Sequence, residues 1–214
     1  MASELLRLFE VMDRLRSPGG CPWDAEQTHQ TLIKYLLEES YEFVDAVDAD
    51  DREAMREELG DVLLQVYFHS RIAQDHPTDP FSIEEVAAGI ADKLIRRHPH
   101  VFGEVQAETS DEVLQNWEKL KATEKNRSSA TDGVALAQPA LPLITKLIYR
   151  AEKNGIHLDL PTADMNNEVP AEVAIGDALV AAVVAAIKQG IEPEDLLRTR
   201  AREIAEEIKR IESL

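Results

Sequence analysis

Apolar residues recur along this chain at helical spacing and nowhere alternate over the length of a strand, so the pattern predicts an all-α protein. Ser3 can cap a first helix reaching about residue 16, with Leu5, Leu6, Phe9, Met12 and Leu15 on one stripe. Ser17-Pro-Gly-Gly-Cys-Pro-Trp-Asp24 reads as a rigid, turn-rich loop. Two long amphipathic arms follow, over 32–69, joined by Asp48-Ala-Asp-Asp51, a polar run without periodicity that predicts the turn of a helical hairpin. Gln27, Thr28 and Thr31 are candidate caps for the first arm. Ser82 with Glu85 is a capping box opening a further helix, and Ser110 begins another. The polar, Ser-containing stretch from residue 126 marks a boundary. Beyond it come a helix ending at Gly155, an alanine-rich apolar helix over 171–189 and a charged amphipathic helix over 192–214. The expected organisation is a first domain at 1–125, a linker at 126–140 and a second helical region at 141–214.

The hairpin carries the candidate chemistry. Residues three apart share a helix face, so Glu39 pairs with Glu42 on the first arm and Glu58 with Asp61 on the second. Folding the arms antiparallel about residue 50 sets Glu39 level with Asp61 and Glu42 level with Glu58. Four carboxylates flanked by Leu36, Leu37, Phe43, Val44, Leu59, Val62, Leu63 and Val66 would repel one another and would not ionise together without a cation among them. Hard oxygen ligands in that number suit Mg²⁺ or Mn²⁺. The alternative is a solvated acidic face, of the kind common on helix surfaces.

Charge narrows the range of partners. A formal net charge of -18 over 214 residues argues against binding a nucleic acid polymer or an anionic membrane surface. It leaves a nucleotide substrate open, because a metal ion inverts the local field. A single cysteine, Cys21, excludes an intrachain disulfide and fits a reducing compartment. No basic segment followed by an apolar stretch opens the chain, and the longest apolar run is too short and alanine-rich to span a bilayer. The expectation is a soluble cytoplasmic protein with no membrane partner.

In so acidic a chain, the basic knot of Lys93, Arg96 and Arg97 reads as a candidate anion site, although basic residues also suit a helix C-terminus through the macrodipole. Trp23, between Pro22 and Asp24, reads either as an apolar plug over the helix ends or as a wall on which a flat ligand such as a nucleobase stacks. The second half also echoes the first: Glu58-Leu-Gly-Asp-Val-Leu-Leu-Gln-Val corresponds to Ala174-Ile-Gly-Asp-Ala-Leu-Val-Ala-Ala. The about 35 residues from Trp23 to Glu58 shrink to about 16 between Leu158 and Ala174, so the first arm has no counterpart. Asp177 alone cannot hold a divalent cation. The region therefore reads as a degenerate, non-catalytic copy with a packing or dimerising role, or as an unrelated helical tail.

The chain resembles the MazG nucleoside triphosphate pyrophosphohydrolases. The resemblance runs through Gly20-Cys-Pro-Trp-Asp-x-Glu-Gln-Thr-His29, Tyr35-Leu-Leu-Glu-Glu-Ser-Tyr-Glu42, Glu57-Glu-Leu-Gly-Asp61, Arg97-His-Pro-His-Val-Phe-Gly103 and Asn116-Trp-Glu-Lys-Leu-Lys121. It implies Mg²⁺-dependent hydrolysis of nucleoside triphosphates to monophosphate and pyrophosphate, in a nucleotide-pool housecleaning role, by dimers of interlocked helical bundles. The family's metal ligands fall on Glu39, Glu42, Glu58 and Asp61. With this chemistry in view, Glu38 is the candidate general base. Lys93, Arg96, Arg97 and Lys121 are candidates for phosphate contact, and Trp23, Gln27 and Thr28 for the base or ribose pocket. A non-catalytic helical dimer binding nucleotide or a protein partner, and an enzyme restricted to one deoxynucleotide, are the alternatives.

Overall fold

A computed structural model describes residues 3–105, 107, 109–110, 112–113, 116–117, 120, 129–162 and 169–213. Among the described residues the regular structure is helical throughout, with no strand. The all-α expectation therefore holds. The chain divides into two compact units, Met1–Leu120 and Lys121–Leu214.

In the first unit α1 spans Glu4–Arg16, and the Ser3 hydroxyl accepts from the Leu6 amide at 3.1 Å as its N-cap. Met12 is its one fully buried residue, while Leu5 and Leu6, expected on the same stripe, are exposed. The contacting stripe keeps Phe9, Met12 and Leu15 and adds Leu8, so that α1 meets the core through its second half. The segment expected as loop ends in a short helix, α2 (Pro22–Glu26). Pro22 can start it because a first-turn residue needs no amide donor. Gly20 makes the preceding turn: a Cβ there would lie 2.2 Å from the Leu15 carbonyl oxygen. The backbone can pass that close only without a side chain.

The long elements are α3 (His29–Asp48) and α4 (Arg52–Ala73). Thr28 caps α3 in a reciprocal capping box with Thr31. Asp50 takes a left-handed φ of 53°, turning the chain, and Asp51 caps α4 by accepting from the Glu53 and Ala54 amides. The two helices pack along their length, antiparallel, with His29 at the start of α3 against His69 near the end of α4. Met12, Leu32, Tyr67 and Phe68 form the core of this unit at the end of the helix pair away from the turn. Then α5 (Ile83–Arg97) packs on α4 from a Ser82–Glu85 capping box, and α6 (Pro99–Phe102) follows.

The second unit contains α7 (Ala140–Lys153), α8 (Ala171–Lys188) and α9 (Pro193–Glu212). Ile148 and Ala151 of α7 are buried, as are Ala181, Val183 and Ala186 of α8; small residues let helix backbones approach closely. No helix is long and apolar enough to cross a membrane among the described residues.

Candidate functional site

Seven residues at 1.5 Å each put Glu39 about 10 Å along α3 from Leu32, between the apolar core and the turn. There it meets α4. One carboxylate oxygen each from Glu39, Glu58 and Asp61 lie within 4.8 Å of one another, and all three side chains are half-buried. Glu42, one turn further along α3, is exposed; it stands outside this trio and within hydrogen-bonding reach of Glu58. Glu38 is exposed beside it.

The electrostatics follow from the crowding. Partial burial lifts the Glu39 carboxyl above its ordinary range, and the charges of Asp61, Glu42, Glu58 and Glu38 add to the lift. Glu58 is raised in the same way, first by lost hydration, then by Glu42, Asp61 and Glu57. Such a cluster favours a bound proton or a bound cation. The donor set, carboxylate oxygens from two facing helices, is of the hard kind that suits Mg²⁺.

Near the core end of the hairpin, Trp23 on α2 is 50% exposed. Its ring meets Tyr35 and Phe68 edge-on, with centroids 6.0 and 6.4 Å away. The ring is thus seated against the core and half of its surface reaches solvent. The Gln27 amide donates to the Trp23 carbonyl at 2.8 Å and its side-chain oxygen accepts from Thr31 at 2.8 Å. Thr28 serves as the cap of α3.

The basic residues are placed differently from the carboxylates. Lys93, half-buried, and Arg96, exposed, lie towards the end of α5. Arg97 is only 4% exposed, with its guanidinium over the Trp117 ring at 5.2 Å. Lys121 lies outside the described residues. Two features went unread in the sequence. One is Arg16, buried beneath α2. The other is the His29–His69 pair, with Nδ1 atoms 2.8 Å apart and rings 4° from parallel. The register about residue 50 sets His29 level with Arg71, two residues from His69, and was the available signal.

The MazG nucleotide pyrophosphohydrolase domain model matches residues 27–102, which contain both long helices, α5 and α6. Over 213 residues the chain is 46% identical to the "uncharacterized 26.1 kDa protein in blaB 3′region" of Streptomyces cacaoi, covering 98% of this chain and 83% of that one. It is 36% identical to the "nucleoside triphosphate pyrophosphohydrolase/pyrophosphatase MazG" of Thermotoga maritima, covering 97% of this chain and 85% of that one. The chain belongs to the MazG family. A further relative, the nucleoside triphosphate pyrophosphohydrolase of Mycobacterium tuberculosis, is 44% identical over 94% of this chain and 59% of its own length. The MazG domain match takes in all four acidic positions chosen from spacing and stops short of Asp177.

Proposed function

We propose that this MazG protein hydrolyses nucleoside triphosphates between the α and β phosphates, giving a nucleoside monophosphate and pyrophosphate. The observation that carries the reading is the convergence of Glu39, Glu58 and Asp61 on one point between α3 and α4. These three, with Glu42 beside them, would hold Mg²⁺, with Mn²⁺ as a substitute. The cation would neutralise triphosphate oxygens and ease departure of the pyrophosphate charge.

The chain's own residues supply the rest. Glu38 is exposed one position before Glu39, where it can take the proton of the attacking water. Trp23 offers its half-exposed ring to the base, and Gln27 and Thr28 shape the adjoining backbone. A stacked base is held without readout of its edges, so selectivity among bases is poor and the role is housecleaning of the nucleotide pool. Lys93, Arg96, Arg97 and Lys121 provide positive charge for the phosphates, from the same chain or from the second copy in a homodimer. The second helical region, 141–214, keeps Asp177 exposed on α8 and acts in packing, leaving one site per chain. The protein works in the cytoplasm.

Incubation of each ribo- and deoxyribonucleoside triphosphate with the protein and Mg²⁺, with pyrophosphate measured against orthophosphate, tests this directly. Pyrophosphate from several bases is the expected result. No pyrophosphate from any substrate overturns the enzyme, and release from one base alone overturns the housecleaning role.

A further inference from the structure

We propose that Arg16 is a positioning residue for the nucleobase: it fixes α2, and with it Trp23, at the height where the half-exposed indole receives the base. This rests on the reading of Trp23 as the base wall. A five-residue helix is too short to hold itself in place, because nucleation fixes several residues for one or two hydrogen bonds. Its C-terminal carbonyls also have few backbone donors, although that of Asp24 accepts the Gln27 amide at 3.3 Å. Arg16 supplies both needs from α1. Its Nη1 donates to the Asp24 carbonyl at 2.5 Å and to the Gln27 carbonyl at 3.2 Å, the two carbonyls that bracket the end of α2. Its Nη2 faces Asp75 at 3.6 Å, and its guanidinium lies 5.5 Å from the centroid of Phe68.

Phe68 is one of the two rings that Trp23 meets edge-on. Arg16 therefore touches the backbone that carries Trp23 on one side and the ring that seats it on the other. The anchor is itself held. The Arg16 side chain is 8% exposed, and Arg71 ties Asp75 to Asp13 at 2.7 and 2.8 Å, linking the end of α4 back to α1. Only a planar fork reaches carbonyl, carboxylate and ring together; a lysine ammonium in this place keeps the charge and loses the fork.

The test is steady-state kinetics on the full chain with the nucleoside triphosphate it turns over fastest, for Trp23→Ala, Arg16→Met, Arg16→Lys and the Trp23→Ala/Arg16→Met double variant. Loss of one base–aromatic stack predicts a KM raised about tenfold for Trp23→Ala. Arg16→Met should show a similar rise with kcat changed less than about threefold, and the double variant no further rise, because both substitutions remove one interaction. Arg16→Lys should fall between. If Arg16→Met does not fold, the Arg16→Lys shift decides. Independently of turnover, acrylamide quenching of Trp23 fluorescence in a Trp117→Phe background should rise with Arg16→Met. A KM unmoved by Trp23→Ala overturns the wall and the inference with it. A KM raised by Trp23→Ala but by neither Arg16 variant, additive effects in the double variant, or unchanged quenching each overturn the inference and leave the wall standing.

Discussion

Replacing Glu39 by Gln should make the metal-free protein more stable and the metal-loaded protein less so. The side chain keeps its shape and loses its charge. Its carboxylate stands no more than 4.8 Å from that of Asp61, where two unit charges repel by about 1 kcal/mol in water and about 3.5 kcal/mol at an effective dielectric of 20. Both side chains are half-exposed, so screening favours the lower figure, and about 1 kcal/mol is worth about 3 °C in melting temperature for a domain of this size. The pH dependence has a definite sign. Glu39 is raised by burial and by its acidic neighbours, so the folded form holds its proton more tightly than the unfolded form. That contribution is present below the ordinary carboxylate range and is lost as pH rises through the raised value. At pH 8 with EDTA the wild type therefore carries the full repulsion, and Glu39→Gln should melt higher. Adding Mg²⁺ at a hundred times its dissociation constant stabilises the wild type by about 2.7 kcal/mol. The variant, short of a ligand, should gain far less, and the order of stability reverses. Thermal unfolding followed by circular dichroism, with and without Mg²⁺, reads both effects. A metal-free Glu39→Gln protein that melts lower than wild type, or one that gains as much from Mg²⁺, refutes the reasoning.

Leu32→Ala removes a fully buried side chain packed with Met12, Tyr67 and Phe68, and should cost about 2–5 kcal/mol in chemical denaturation. Gly20→Ala forces backbone movement, since the new Cβ meets the Leu15 carbonyl oxygen at 2.2 Å; a loss of about 1–3 kcal/mol is expected by the same measurement. The His29–His69 pair should make stability fall in mild acid. His69 is lowered by burial and by His29, so its contribution is intact above the ordinary histidine value and lost as pH falls below it; a denaturation series from pH 7.5 to 5.5 should show this for wild type and not for His69→Phe.

Long periodic segments and caps were the legible part of this fold. Ser3, Thr28 and Ser82 each cap a helix because a short polar side chain can satisfy first-turn amides, a property readable from two or three neighbouring residues. The meeting of Glu39 and Asp61 was also legible, since they stand equally far from the turn; Glu58 joins them, whereas Glu42, expected in the same cluster, stays outside it. What escaped depends on contacts distant in sequence. The helix α2 is too short for a period to show, and it is held by Arg16 from another element. Leu5 and Leu6 have helical spacing yet stay exposed, because α1 meets the core through Leu8, Phe9, Met12 and Leu15, beyond its first turn. Arg97, expected in an anion site, is buried with its guanidinium over Trp117, a partner 20 residues on that periodicity does not indicate.

The claim at the centre is that the carboxylates of α3 and α4 hold the divalent cation on which hydrolysis depends. Mn²⁺ titration followed by the electron paramagnetic resonance signal of the free ion tests it most directly, on wild type, Glu58→Gln and Asp177→Asn. Wild type and Asp177→Asn should bind Mn²⁺ alike, and Glu58→Gln should bind at least about tenfold more weakly. Equal binding by wild type and Glu58→Gln, or a loss confined to Asp177→Asn, would contradict the account.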